Sequence, residues 1–452
     1  MKVVLSNKAY LNPDEEIKKR LETNLTYMVE ESHSRKKIPR MVLHYGLVSS
    51  KTYWMPTQRL DLLQGYELEI VDKRSKPETY FGTTYNIQLR PDQQEIYDQV
   101  TGSCIINGKP GFGKTVLAIA IAVKLGLKTL VVCTTTVIRD MWVQEIDRFL
   151  GIKAGVIGSG RFELDAPIVV GNIQTLSKHG LALADKFGTV IVDEMHHCPA
   201  STFSKLLMES KALHKIGLSG TLVRRDGMHT LFKDFFGFEV YSPAVANTIP
   251  PKIHLYDLEV EMSGNQLIPW ADKVTAVIEN PLYKQTMLAL ANSYVALGHK
   301  VLFISDRTAT LKYIHENVQG RSVLYTGELD LEDREKAARD MSDGKLDIFC
   351  AMQSIFSEGV SQNELSCLIL SSFIGDNESL IEQLAGRVMR KHEGKLEPVI
   401  VDIRVKGHLG YKHRRDRMKT YIKNNWEAEV MSLPKLVASN ENKFAKLLSF
   451  KV

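Results

Sequence analysis

The segment Gly108-Lys109-Pro110-Gly111-Phe112-Gly113-Lys114-Thr115 is spaced G-x-x-x-x-G-K-T. Glycines at those places let backbone N–H groups curl round an anion, and a lysine followed by a hydroxyl suits a polyphosphate with its divalent cation. Lys114 is expected on the β- and γ-phosphates and Thr115 on Mg²⁺. A second cluster, Asp193-Glu194-Met195-His196, directly follows the apolar run Val190-Ile191-Val192. Carboxylates at the C-terminal end of a buried strand stand where α/β sheets bind ligands. Asp193 is read as a Mg²⁺ holder, and Glu194 as the group that orients or deprotonates the attacking water. His196 is read as a sensor of the γ-phosphate or a coupler to a partner domain. A third cluster ends in Gln383-Leu384-Ala385-Gly386-Arg387-Val388-Met389-Arg390. Gln383, Arg387 and Arg390 share one face of a predicted helix, a placement suited to stabilising charge on a transferring phosphoryl group.

These side chains need a scaffold that delivers them to strand ends. Ile105-Ile106 ends a strand-like run before the glycine-rich loop, and Val116 to Leu125 is an Ala-rich helix former. Apolar β-rich runs then alternate with helical stretches, at Thr129–Cys133, Ile168–Val170, Val190–Val192 and Ile216–Leu218. The same alternation resumes after the turn-like Thr248-Ile249-Pro250-Pro251. Its runs are Val301–Ile304, Val323–Tyr325, Ile348–Cys350, Cys367–Leu370 and Val399–Val401, with helices over Leu331–Met341 and Ser379–Met389. Alternating β and α segments predict parallel sheets covered on both faces. Residues 1–85 carry no motif and read as a small α+β accessory domain, with a helix over Glu15–Val29 and strands near Met41–Val48 and Tyr66–Val71.

A chain of 452 residues implies about three domains. Its hydrophobic content of 44% and charged content of 25% are ordinary for a globular protein. No apolar run reaches membrane-spanning length, so neither membrane nor secretion is expected, and a cytoplasmic location is the default. The cysteines (Cys104, Cys133, Cys198, Cys350, Cys367) lack C-x-x-C spacing and read as reduced core residues rather than a metal site. A net charge of +5 proves nothing about partners, but its distribution is uneven. Arg404–Lys423 holds eight Lys or Arg against the single acid Asp416, and Ser34–Arg40 is a second basic run. Each is read either as a follower of a phosphate backbone or as a solvated face.

Taken in order, the motifs resemble those of superfamily-two helicases and translocases over about residues 86 to 405. Leu89-Arg90-Pro91-Asp92-Gln93 resembles the family's adenine-reading element, with Asp92 replacing an aromatic. The stretch from Thr134-Thr135-Thr136 to Trp142 and the pair Gln174-Thr175 are similar to elements that contact the tracking strand. Gly217 to Gly227, with Ser219-Gly220-Thr221 inside it, resembles the element linking nucleotide to nucleic acid. Ser305-Asp306-Arg307, Tyr325-Thr326-Gly327 with Arg334, and Phe356-Ser357-Glu358-Gly359-Val360-Ser361 resemble the second motor half. Ser361 replaces the usual Asp, a departure similar to phage helicases of the UvsW type. The wider group with Arg224-Arg225-Asp226-Gly227 and a DExH box includes XPB-like motors.

The resemblance implies an α/β fold with two tandem RecA-like parallel-sheet motor domains, a small N-terminal α+β accessory domain and a basic helical C-terminal tail. The expected division is 1–85, 86–247, 248–405 and 406–452. It implies ATP and Mg²⁺ as cofactors, with Arg90, Gln93, Gly108, Pro110, Gly111, Phe112, Gly113, Lys114, Thr115, Glu358 and Gly359 binding the nucleotide. Thr135, Trp142, Gln174, Thr175, Ser305, Arg307, Thr326 and Ser354 are the expected nucleic-acid contacts. The expected function is an ATP-dependent DNA helicase, acting as a monomer, that remodels branched DNA by fork regression or Holliday-junction branch migration. An RNA or RNA–DNA hybrid helicase, a motor subunit of a restriction complex and an ATP-gated clamp are the rivals. In the N-terminal region Tyr53, Trp54 and Tyr66 are read either as base-stacking groups or as a small core.

Overall fold

A computed structural model describes residues 1–33, 36–82, 85, 87–109, 111–197, 200–220, 222, 228–243, 248–329, 331–353, 362–371, 373–375 and 377–434. The chain forms two compact units, Met1–Ala246 and Asn247–Val452. Pro110, Thr221, Arg224–Gly227, Ser354 and Phe356–Ser361, with Glu358 and Gly359 among them, lie outside the described residues.

The first unit is built on an eight-stranded sheet. Its spatial order is Arg161–Phe162, Gly155–Gly158, Ile168–Asn172, Thr129–Cys133, Thr189–Val192, His214–Ser219, Cys104–Asn107, Val240–Tyr241. Every pair is parallel except the hairpin of Arg161–Phe162 with Gly155–Gly158. The central strands are buried on both faces, which is why they read as unbroken apolar runs. The period-two alternation of strand side chains divides them between two cores. Val131, Ile191 and Ile216 face the helices Lys114–Leu125 and Thr136–Leu150, while Val132, Val190 and Val192 face Phe203, Phe235 and Phe236.

A five-stranded sheet packs around the helix Glu15–Asn24, with Val3, Leu5, Ile17 and Leu21 in its core. Asp14 caps that helix by accepting from the Ile17 amide at 2.9 Å. The expected helix Glu15–Val29 ends early. From Thr26 the chain alternates and forms a hairpin, Thr26–His33 against Lys36–Leu43, that buries Tyr27 and Val29. Burial of that alternating face outweighs the helix propensity of the stretch. A buried carboxylate ties this region to the sheet's own helix Phe232–Phe236. Asp234 accepts from the Tyr27 hydroxyl at 2.9 Å and from Arg59 Nη1 at 3.0 Å, and lies 2.6 Å from His44 Nδ1. Trp54 stacks under the Lys8 ammonium at 3.9 Å, Tyr66 donates to Asp14, and Tyr53 packs against the small core. Tyr53 and Tyr66 thus pack against the small core, whereas Trp54 lies outside it.

The second unit is an all-parallel seven-stranded sheet, ordered Ser322–Tyr325, Ile348–Met352, Val301–Ser305, Cys367–Leu370, Val399–Lys406, Lys252–Glu261, Ala428–Val430. Strand Lys252–Glu261, directly after Pro250-Pro251, has a largely alternating burial pattern. The stretch after 405 is not an appendage. Helix His408–Lys423 packs on strand Val399–Lys406, and Ala428–Val430 adds an edge strand. Its anchor is Asp402, fully buried, which accepts from Arg417 at 2.6 and 2.8 Å, Arg414 at 3.3 Å and Tyr421 at 2.8 Å. Two of the eight cations of the basic run thus face inward as structural ligands of one carboxylate. Among the described cysteines, Cys104, Cys133, Cys350 and Cys367 are buried thiols.

Burial works to raise the Asp402 pKa, but Arg417 and Arg414 overcome it and hold the carboxyl below its ordinary value. The stability it contributes is then complete above about pH 4 and is lost as pH falls through the folded-state value. Asp402→Asn is expected to cost about 3–5 kcal/mol at neutral pH, because it strands two buried guanidinium groups. Urea denaturation at neutral and acid pH checks this: the gap between variant and wild type must shrink in acid, and a gap unchanged there would contradict the assignment.

Candidate active site

A parallel sheet ends all its strands on one edge, and there the first unit collects its chemistry. Cys104–Asn107 leads into the glycine-rich loop, His214–Ser219 lies beside it, and Thr189–Val192, ending in Asp193, comes next. Gly108 N donates to the Ser219 carbonyl at 2.9 Å, which fixes the start of the loop. Gly111 and Gly113 adopt φ of +88° and +79°, a region that L side chains avoid. A Cβ on Gly113 would lie 2.6 Å from Gln93 Nε2. Gly113 begins helix Lys114–Leu125 in the left-handed conformation with no side-chain cap, so the first-turn N–H groups face the loop's concave side.

Lys114 is buried; its ammonium donates to the Gly108 carbonyl at 2.8 Å and lies 3.5 Å from Glu194 Oε1. Thr115 is half-buried on the first helical turn. Glu194 sits at φ +44°, strained for a side chain of its kind, directly after the buried Asp193. His196 Nδ1 lies 3.4 Å from Glu194 Oε2 and 2.7 Å from the buried Ser219 hydroxyl. Lys114, Glu194, His196 and Ser219 therefore form one continuous polar chain across three strand ends. Asp193 accepts from the Glu194 amide at 2.9 Å and from Trp142 Nε1 at 2.7 Å. Burial, and then the Glu194 charge, push its pKa up to about 6, against the opposing pull of the indole and Lys114. A carboxylate so poorly compensated has a strong reason to take a cation. The open loop, the lysine and the under-compensated carboxylate fit a nucleoside triphosphate with Mg²⁺.

Trp142 corrects the expectation from sequence. It is fully buried in the core of its helix, so its side chain is no nucleic-acid contact; its indole holds Asp193. Nothing in the local sequence signals this, because the partner lies on another strand. Arg90 and Gln93 grip the loop from outside. Gln93 Nε2 donates to the Phe112 carbonyl at 2.9 Å and its Oε1 accepts from Arg90 N at 3.0 Å, while Arg90 Nη2 donates to the Phe112 carbonyl at 2.5 Å. The Gln93 amide is engaged at both ends, so both residues shape the loop.

Thr135 caps helix Thr136–Leu150, Gln174 is exposed and donates to the Thr134 carbonyl at 3.4 Å, and Thr175 is half-buried beside it. Arg139, which no motif singled out, bridges Ser159 at 3.0 Å and Asn172 at 3.2 Å on the same edge.

In the second unit, Ser305 is fully buried and its hydroxyl accepts from Arg307 N at 3.1 Å. Its role is to shape the strand end, a second correction to an expected contact. Arg307 and the buried Thr326 follow strands Val301–Ser305 and Ser322–Tyr325, which Ile348–Met352 separates in that sheet. Helix Glu378–Val388 carries Gln383 and Arg387, both half-buried, and Arg390 follows its end. Burial first, and the Arg387 charge second, lower the Arg390 pKa to about 9, which leaves the Arg390 guanidinium charged at neutral pH.

With this geometry in place, comparison with known proteins is decisive on family. The chain is 49% identical over 442 residues to "Probable helicase D10" of Escherichia phage T5, covering 97% of this chain and 98% of that protein. This chain belongs to the superfamily-two helicases. Residues 86–224 match the family described as "Type III restriction enzyme, res subunit", and residues 285–392 match "Helicase conserved C-terminal domain". A more distant relative, "ATP-dependent DNA helicase uvsW" of Enterobacteria phage T4, is 25% identical over 305 residues, 60% of this helicase and 59% of that one. The solved structure of S. cerevisiae Dbp5 bound to RNA and ADP BeF3 shares the fold. Its TM-score is 0.53 at 11% identity, covering 76% of this chain and 95% of that one. Helicases of this family bind nucleic acid and use ATP with Mg²⁺.

Trp142→Phe in this helicase removes a donor that holds the Asp193 pKa down, so more of that carboxyl is protonated near neutral pH and Mg²⁺ must displace the proton. The substitution is expected to cost about 1–3 kcal/mol and to raise the Mg²⁺ concentration needed for half-maximal ATP hydrolysis. A Mg²⁺ titration of hydrolysis rate checks it, and an unchanged midpoint would remove the indole from the site.

Proposed function

We propose that the protein is an ATP-driven DNA motor that remodels branched DNA, by fork regression or migration of four-way junctions. The observation that carries the motor reading is the polar chain Lys114–Glu194–His196–Ser219, which joins the nucleotide loop to a neighbouring strand end. The loop Gly108–Thr115 holds the phosphates, with Thr115 and Asp193 on Mg²⁺. ATP hydrolysis would supply the free energy, and bound Mg²⁺ would neutralise charge on the phosphates. Lys114 turns from Glu194 to the phosphates, and Glu194, released from that ion pair, orients the attacking water and accepts its proton. His196 answers the movement of Glu194 and passes it to Ser219. Arg387 and Arg390 are assigned to the charge of the transferring phosphoryl group. Arg90 and Gln93 keep the loop in register. Thr135, Gln174, Thr175, Arg307 and Thr326 are assigned to the sugar-phosphate backbone, so base specificity is expected to be low. Similarity to a phage DNA helicase supports DNA over RNA; the fold likeness to an RNA-bound protein keeps RNA as the reading to be tested against it.

Steady-state ATP hydrolysis is measured with no nucleic acid, single strands, linear duplex, a fork, a four-way junction and RNA. Forks or junctions are expected to stimulate most, and greater stimulation by RNA would overturn the DNA reading. Lys114→Ala and Glu194→Gln are each expected to lower kcat by at least about 100-fold. Normal turnover in Glu194→Gln would remove it from the water.

A further inference from the structure

The basic run Arg404–Lys423 divides in the folded chain. Arg414 and Arg417 turn inward onto Asp402. His408, Lys412, Arg415 and Lys419 are exposed, spaced so that they form one stripe along helix His408–Lys423. At the start of this stripe is a cavity of ≈ 340 Å³ lined by Arg404, His408, Tyr411, Lys412, Arg414 and Arg415, with no carboxylate in the lining. Tyr411 is 52% exposed, and the Arg404 guanidinium lies 4.4 Å from its ring centre. Asp257 at the margin pairs with Arg404 and Arg414, and Asp416 pairs with Lys419. Among the described residues no ion pair occupies Lys412 or Arg415.

We propose that this cavity and stripe form a second nucleic-acid backbone site, separate from the expected strand contacts at Arg307 and Thr326. The inference rests on the reading of the protein as a nucleic-acid motor. Three observations favour a phosphodiester backbone as the occupant. The stripe runs about 16 Å from His408 to Lys419 at 1.5 Å per helical residue, while successive phosphates of one strand rise about 3.4 Å. One small anion would use the cavity and leave the stripe idle, whereas a backbone uses both. The exposed, cation-backed Tyr411 ring offers a stacking face to a base or sugar. Strand Val399–Lys406 runs parallel to Val301–Ser305 with one strand between them, so the site opens on the same sheet edge, about 10 Å along it. A strand or duplex arm leaving the track on that edge meets the stripe without crossing the sheet.

The test uses the full chain carrying Lys412→Glu and Arg415→Glu, with Arg339→Glu and Lys345→Glu as a charge-matched control. Binding of a fluorescently labelled fork is measured by anisotropy across a salt series, with ATP hydrolysis in parallel. The double variant is expected to bind at least about tenfold more weakly, and the slope of log affinity against log salt to fall by about 2. Hydrolysis without nucleic acid stays at the wild-type rate, and the fork concentration for half-maximal stimulation rises. Lys412→Ala with Arg415→Ala is expected to lower the slope by the same amount without repulsion. Wild-type affinity and slope in both variants overturn the site and hand it to another partner, such as an acidic protein surface. A control that weakens binding equally overturns it as well. If wild type is stimulated by no nucleic acid, the motor reading fails first; if wild type is stimulated and the variants match it, this site alone fails.

Discussion

The structure depends on one constraint: strands of a parallel sheet all end on the same edge. Lys114, Asp193 and Ser219 come from distant parts of the chain, yet each follows a strand of one sheet. Neighbouring strands lie about 4.8 Å apart, so adjacency in the sheet becomes hydrogen-bonding distance at its edge. The order of strands, with His214–Ser219 between the loop strand and the Asp193 strand, places the Ser219 hydroxyl where His196 reaches it. Strong burial of those strands on both faces fixes their register, and register fixes the site.

Two buried aspartates show how donors tune a carboxylate. Asp402 is met by two guanidinium groups and a tyrosine, and its pKa is depressed despite complete burial. Such a group is an anion throughout the neutral range and serves as an anchor. Asp193 is met by an indole and a backbone amide, with a second carboxylate beside it, and its pKa rises to about 6. It remains short of positive charge, which suits the Mg²⁺ role proposed for it. Arginine donors on one aspartate, and a neighbouring carboxylate with only an indole and an amide on the other, give two buried groups opposite pKa shifts.

The strain at Glu194 belongs to the same logic. A side chain held at φ +44° persists only where its surroundings over-determine it. Here Lys114 and His196 bracket the carboxylate while Asp193 takes its amide. The residue assigned to the attacking water is therefore aimed by the ends of three strands rather than by its own turn.

Much of this was legible in the residues alone. Thr129–Cys133 and Cys367–Leu370 form as strands with the expected limits, because unbroken apolar runs of that length bury both faces. The loop, the Asp193-Glu194 pair and the helix bearing Arg387 were legible because each is a local pattern whose chemistry follows from residue type and spacing. What the sequence could not supply were partners remote along the chain. Trp142 reads as a surface contact until the fold sets it beside Asp193, and Arg414 and Arg417 read as part of a basic tail until Asp402 draws them in. Helix propensity carried the expected first helix to Val29, but burial of Tyr27 and Val29 made that stretch a strand. Local propensities are worth tenths of a kcal/mol per residue, whereas burying an aromatic or satisfying a buried charge is worth several, so tertiary contacts decide wherever the two compete.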